Sequence, residues 1–139
     1  MSKISIQTVV PAPAGRAYAY YTEPRHIVRW NYADESWHCP EAINDLQVGG
    51  RYYARMEAKD ASMGFDFYGT YTQVQEGESF TYELEDGRAV MVQFQETEQG
   101  TRVEVEFDPE QENSEDFQRA GWQAILDNYA AYVGYEESA

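Results

Sequence analysis

The stretch that decides the fold is RYYARMEAKDASMGFDFYGTY, residues 51–71. Its first half sets Tyr52, Ala54, Met56 and Ala58 against Tyr53, Arg55 and Glu57; its second sets Phe65, Phe67, Gly69 and Tyr71 against Asp66, Tyr68 and Thr70. A period of two belongs to a β-strand, whose successive side chains leave opposite faces. Two strands with one apolar and one largely polar face are therefore predicted.

The same period continues in both directions. Downstream, Phe80, Tyr82 and Leu84 lead to Asp86-Gly87, a dipeptide suited to the positive φ angles of a tight hairpin, and Val90, Val92 and Phe94 return. Gln99-Gly100 makes the next turn, and Val103, Val105 and Phe107 alternate with Arg102, Glu104 and Glu106 until Asp108-Pro109 ends the strand. Upstream, Gly49-Gly50 reads as a bulge or turn between a short run, Ile43 to Val48, and the strand from Arg51 to Ala58. A β-rich opening from Lys3 to Val10 stops at Pro11 and Pro13. About six or seven antiparallel strands are expected.

Three helices complete the order. Pro13 suits the first position of a short helix through Ala17, Tyr18 and Tyr21, and Pro24 that of a second through Ile27, Val28 and Trp30. Near the end, Asn113 or Ser114 can cap a helix whose first turn carries Glu115 and Asp116, acids that complement its positive N-terminus. Trp122, Ile125, Leu126, Tyr129 and Val133 recur at spacings of three and four, so the helix should run to about Val133 and lay one stripe on the sheet. The order is β, α, α, β meander, long α.

Composition bounds the function. At 139 residues the chain suits one domain, 1–139, and neither an internal repeat nor a linker divides it. The net charge of −15 repels phosphate backbones and anionic lipid headgroups, which argues against nucleic acid and membrane surfaces as partners. Acids crowd the turns and the last third, whereas Lys3 and Lys59 are the only lysines; solubility explains this, with a salty cytoplasm as a secondary reading. The chain opens without a charged leader and holds no apolar run of about eighteen residues, so a cytoplasmic location is expected. Cys39 stands alone, in keeping with a reducing compartment.

Five stretches carry a likeness to a known family: Asn44-Asp45-Leu46 with Val48-Gly49-Gly50-Arg51, Met56-Glu57-Ala58-Lys59-Asp60, Ser62-Met63-Gly64-Phe65-Asp66-Phe67, Gly69-Thr70-Tyr71, and Gly121-Trp122-Gln123-Ala124-Ile125-Leu126-Asp127-Asn128. Together with the element order they resemble the helix-grip superfamily of START-like (SRPBCC) domains, in the bacterial branch related to the activator of heat-shock-protein ATPase. The likeness spans nearly the whole chain. It departs at Ala61, where the family usually has glycine, so a differently shaped turn is expected there. The resemblance implies an α+β fold whose curved sheet grips the last helix, with a cavity between sheet, helix and the two short helices, where relatives bind apolar molecules. It implies no agreed reaction.

The rings that would wall such a cavity are Trp30, Trp37, Tyr52, Met56 among them as a thioether, Phe65, Phe67, Tyr82, Trp122 and Tyr129. Fifteen per cent of the chain is aromatic, which supplies apolar walls with a few polar tips, as ligand pockets have, although inward rings fill cores by default. Arg88 is a candidate polar anchor for a carboxylate-bearing ligand; for it and Arg55 surface ion pairs are the alternative.

Other constellations fall short. Asp34, Glu35, His38 and Cys39 suggest a metal cluster, but adjacent His38 and Cys39 point to opposite sides of an extended segment, and no second cysteine completes four ligands. Cys39 with His26 or His38 lacks an orienting third group for nucleophilic catalysis. Alternation turns Glu57 and Asp66 outward, and Asp60 sits in the intervening turn. No cofactor, metal or catalytic residue is assigned.

The leading expectation is a domain, monomeric or weakly dimeric, that encloses a hydrophobic or amphipathic small molecule. The alternatives are a co-chaperone that touches a chaperone through its surface, and a cavity enzyme of the hydrolase, cyclase or dehydratase type. Whether the chain is an enzyme stays open, with no catalysis the favoured side. Binding requires a sizeable void, an enzyme a buried charged group within it, and a co-chaperone an exposed apolar patch.

Overall fold

A computed structural model describes residues 3–138. The chain runs β1 (Ile4–Val10), α1 (Ala14–Thr22), α2 (Pro24–Trp30), β2 (Trp37–Asn44), β3 (Arg51–Ala58), β4 (Gly64–Gln75), β5 (Ser79–Glu83), β6 (Ala89–Thr97), β7 (Gly100–Phe107) and α3 (Glu115–Ser138). All strands join one antiparallel sheet in the order β1-β7-β6-β5-β4-β3-β2, so the first two strands of the chain are its edges. The sheet curls into a half-barrel around α3, the helix-grip fold.

The decisive stretch forms β3 and β4 in the register its alternation requires, with Ala54 opposite Phe67 and Met56 opposite Phe65 on the inner face. On the outer face Arg55 lies opposite Asp66 and bonds it at 3.2 Å, while Tyr53 and Tyr68 pack ring against ring at 5.1 Å. Inner residues of β1, β6 and β7, among them Ile4, Val92, Val103 and Phe107, are fully or nearly fully buried. Burying one such side chain contributes about 1.5–3 kcal/mol, so this half of the sheet carries much of the stability.

Several expectations are corrected. The strand placed at Ile43 to Val48 instead occupies Trp37–Asn44, and the residues to Gly50 turn toward β3. Pro40 is tolerated inside β2 because this is an edge strand whose register breaks between His38 and Glu41, where no ladder bond need be donated. Pro13 is not the first helical residue of α1: its ψ of 157° is extended, and its carbonyl accepts from Ala17 N at 2.9 Å, which makes it the cap. Pro24 does open α2. Ser114 caps α3, its Oγ accepting from Phe117 N at 3.1 Å. That helix continues past Val133 to Ser138, because its last turns are tethered to α1 and α2.

Two backbone positions shape the meander. A Cβ on Gly50 would lie 2.1 Å from the Asp45 carbonyl oxygen, so the bend into β3 admits no side chain. Ala61 adopts φ 64°, the left-handed conformation that glycine takes without strain. The turn thus keeps a glycine-like backbone although it carries a methyl group.

Candidate ligand cavity

Between the inner face of the sheet and α3 lies a cavity of about 300 Å³. It exists because α3 lies along β1 and leans on α1 and α2 without packing closely on β3 and β4. Trp122 stacks on Phe107 at 4.2 Å and only meets Phe67 edge-on at 6.3 Å, so the helix leaves the far side of the half-barrel uncovered. Protein interiors are otherwise packed as densely as organic crystals. At about 30 Å³ for each water in the liquid, the space equals roughly ten waters, at the small end of ligand pockets.

Eight of the residues singled out from sequence line it: Trp30, Tyr52, Met56, Phe65, Phe67, Tyr82, Arg88 and Trp122. Trp37 and Tyr129 lie outside the lining. Trp37 packs on the back of Phe65 at 5.9 Å and joins the small cluster of Cys39, Ala54 and Met56. Tyr129 is fully buried behind Trp30 and Tyr21, and its hydroxyl donates to the Ala17 carbonyl at 2.7 Å. Core packing on two sides accounts for both positions.

Sequence reasoning missed Tyr21, Asn31, Tyr71, Phe80 and Leu84, with the aliphatic Ile6, Val105, Ile125 and Leu126. The strand members could have been found from alternation, since Phe80 and Tyr71 share the inward set with Tyr82 and Phe67. Tyr21 and Asn31 carried no such signal, because α1 and α2 are too short for their facing to be fixed by periodicity.

The cavity has a closed and an open side. Trp30, Tyr71, Phe80, Val105 and Leu126 are buried, whereas Phe65 is 50% exposed and marks the mouth with Leu84 and Arg88. Gly69 sits where the ring of Tyr82 crosses β4: a Cβ there would lie 2.4 Å from that ring, so glycine lets Tyr82 lie against the sheet and leaves the space above it open.

The polar atoms of the wall are chiefly phenolic. Tyr71 donates to Asn44 Oδ1 at 2.7 Å, and the Tyr52 hydroxyl accepts from Asn31 Nδ2 at 3.3 Å. The hydroxyls of Tyr21 and Tyr82 have no protein partner among the described residues, yet are not sealed, since both side chains line the cavity. Burial pushes all four phenols upward from their ordinary pKa, so they stay neutral donors at physiological pH. Among the described residues Arg88 is the one cation in the wall, and its Nε bonds Asp86 Oδ2 at 2.7 Å. Among the described residues no carboxylate, imidazole or thiol lines the cavity.

The remaining candidates are scattered. Asp34 accepts from Ser36, His38 lies 3.8 Å from Glu57, and Cys39 is buried beside Asn31, its thiol pushed up by burial. Arg55 is held on the outer face by Glu57 at 2.9 Å and by Asp66, and Asp60 accepts from Ser62. No helix of the described residues is long and apolar enough to cross a membrane.

A half-barrel gripping its last helix around an internal space defines a START-like helix-grip protein. Residues 11–134 match the family described as activator of Hsp90 ATPase homolog 1-like protein, and the chain belongs to it. An AHSA1-like protein from Aeromonas hydrophila is similar over 97% of this chain and 94% of its own, with 41% identity and a TM-score of 0.91. A protein from Cytophaga hutchinsonii is 40% identical over 98% of this chain and 94% of its own, with a TM-score of 0.82. One from Chromobacterium violaceum shares the fold at 22% identity, covering 96% of this chain and 99% of its own, with a TM-score of 0.83. Curated proteins include no match.

Proposed function

We propose that the protein binds a small hydrophobic or amphipathic molecule in the cavity between its sheet and α3. The observation that carries this reading is the 300 Å³ space itself, walled by rings and opening at Phe65, in a chain whose other half is tightly packed. The rings of its wall lack on one side the packing contacts that the rest of the core makes, and an apolar molecule in the space would supply them. In this reading the chain works as one domain, monomeric or weakly dimeric, in the cytoplasm, where its single buried thiol stays reduced.

Gentle native mass spectrometry of protein from its own cells tests it: a retained apolar compound, lost on denaturation, is the expected result. A bare protein whose stability also fails to respond to a library of lipids and aromatics would overturn the reading. A second reading, contact with a chaperone, is favoured by the family, whose description names an activator of the Hsp90 ATPase. Exposed apolar side chains at Ile43, Val48 and Met63 are where such a contact would begin, and a loss of chaperone binding on replacing them with serine would support it.

A further inference from the structure

The polar groups of the cavity differ between its two sides, and the difference bears on the charge of the ligand. The Tyr21 and Tyr82 rings both pack on Phe80, at 5.9 and 6.3 Å, and both line the cavity. Their hydroxyls lack protein partners among the described residues, and each can donate one hydrogen bond into the cavity. A ligand that displaces water from these hydroxyls without accepting from them leaves the donors unpaired, which is costly.

On the open side the cation is already answered. Arg88 is paired with Asp86 at 2.7 Å, while Asp108 is held by Lys3 at 2.6 Å and by the Ala89 N–H, and Glu110 by the N–H groups of Asn113 and Glu112. The guanidinium is therefore already committed to one carboxylate, and two more, Asp108 and Glu110, lie near enough to feel its charge. An incoming anion would meet a negative surround, in a chain whose net charge is −15. Burying a carboxylate without a free cation is far more costly than burying a neutral carbonyl.

Resting on the ligand-binding reading, we propose that the cavity selects a neutral molecule: an apolar body of roughly ten methylene-sized groups bearing a carbonyl oxygen, as in a ketone or ester, that accepts from Tyr21, Tyr82 or both. Arg88 then braces the mouth and does not anchor the ligand.

The test titrates the full chain with three probes of equal carbon count, methyl nonyl ketone, undecane and undecanoate, at neutral pH, read by tryptophan fluorescence and native mass spectrometry. The ketone is expected to bind at least about tenfold more tightly than undecanoate, because the anion loses its hydration without a partner. At least one of Tyr21→Phe and Tyr82→Phe should weaken the ketone by about two- to twelvefold, the range for one neutral hydrogen bond, and both should leave undecane unchanged. Both are expected to fold, since each removes one unpartnered oxygen, and thermal melts check this. Undecanoate binding as tightly as the ketone, with Arg88→Ala abolishing it, would overturn the proposal while leaving the cavity reading intact. So would equal affinity for ketone and undecane. Failure of all three probes would remove both readings.

Discussion

The two halves of α3 meet the same sheet in different ways. The C-terminal half is pinned: Tyr129 donates to the Ala17 carbonyl, Asn128 to that of Tyr32, and Glu137 accepts from Arg16 at 2.8 Å and from Tyr20 at 2.7 Å. Tyr129 and Val133 are completely buried. The N-terminal half rests on Phe107 through Trp122 and reaches β1 through a bond from Gln123 to the Gln7 carbonyl, leaving Trp122 and Ile125 half-exposed to the cavity. Both halves carry the same apolar stripe, so hydrophobic periodicity alone does not separate a filled end from a hollow one. The clamp from α1 and α2 does: it fixes the helix at one end and holds the other away from β3 and β4.

The largest effect expected follows from that contrast. Tyr129→Ala should destabilise the protein by about 3–5 kcal/mol, as deletion of a fully packed ring does, whereas Trp122→Ala should cost roughly half as much because one face of its ring already borders empty space. Urea unfolding of the two variants checks this, and equal losses would erase the distinction between the ends. A smaller effect with the opposite sign is expected from Ile125→Phe, which places extra atoms in the cavity. It should stabilise the unliganded protein by about 0.5–2 kcal/mol and abolish binding of apolar probes. A destabilised variant that still binds them would mean that this part of the wall is already full.

The sheet was legible because alternation is a strong signal where one face is buried and the other wet, as from Tyr52 to Tyr71. The start of β2 was not, since Pro40 argues against a strand everywhere except at an edge, and edge position is a property of the assembled sheet. Of the cavity, the ring-bearing wall residues on β3, β4, β5 and α3 were visible as inward positions, but no sequence rule distinguishes an inward ring that touches protein on all sides, Tyr129, from one that borders a void, Trp122. Trp37 shows the same limit, since it reaches the cavity only through Phe65. Tyr21 and Asn31 escaped because two short helices offer too few turns for a face to be assigned. Ala61 marked a departure from the family pattern, yet the turn keeps its left-handed backbone, because the hydrogen bonds around it, Ala58 N to the Met63 carbonyl at 3.0 Å and Ala61 N to the Ala58 carbonyl at 2.9 Å, fix the loop regardless of the side chain.

The smallest effect separates the two ends by pH. His26 belongs to the clamp at the packed end: its Nδ1 lies 2.6 Å from the Tyr132 hydroxyl, and its ring meets that of Tyr20 at 4.9 Å. Burial, helped by the nearby Arg25 and Arg29 and opposed by Glu23 and Glu136, lowers its pKa from the usual histidine value, so the folded protein favours the neutral ring. In the unfolded chain the same imidazole takes up a proton near pH 6.5. The unfolded state therefore binds more protons as pH falls below that value; the stabilisation is fully present above about pH 6.5 and is lost progressively down to the folded pKa, where the loss levels off. The urea midpoint should fall between about pH 7.5 and pH 5.5, and His26→Gln should flatten that fall. Probe binding at the hollow end should stay constant across the same window, because the phenols of its wall remain neutral throughout. A binding constant that follows the midpoint would show instead that the clamp and the cavity open together, and that the two ends of α3 are one cooperative unit.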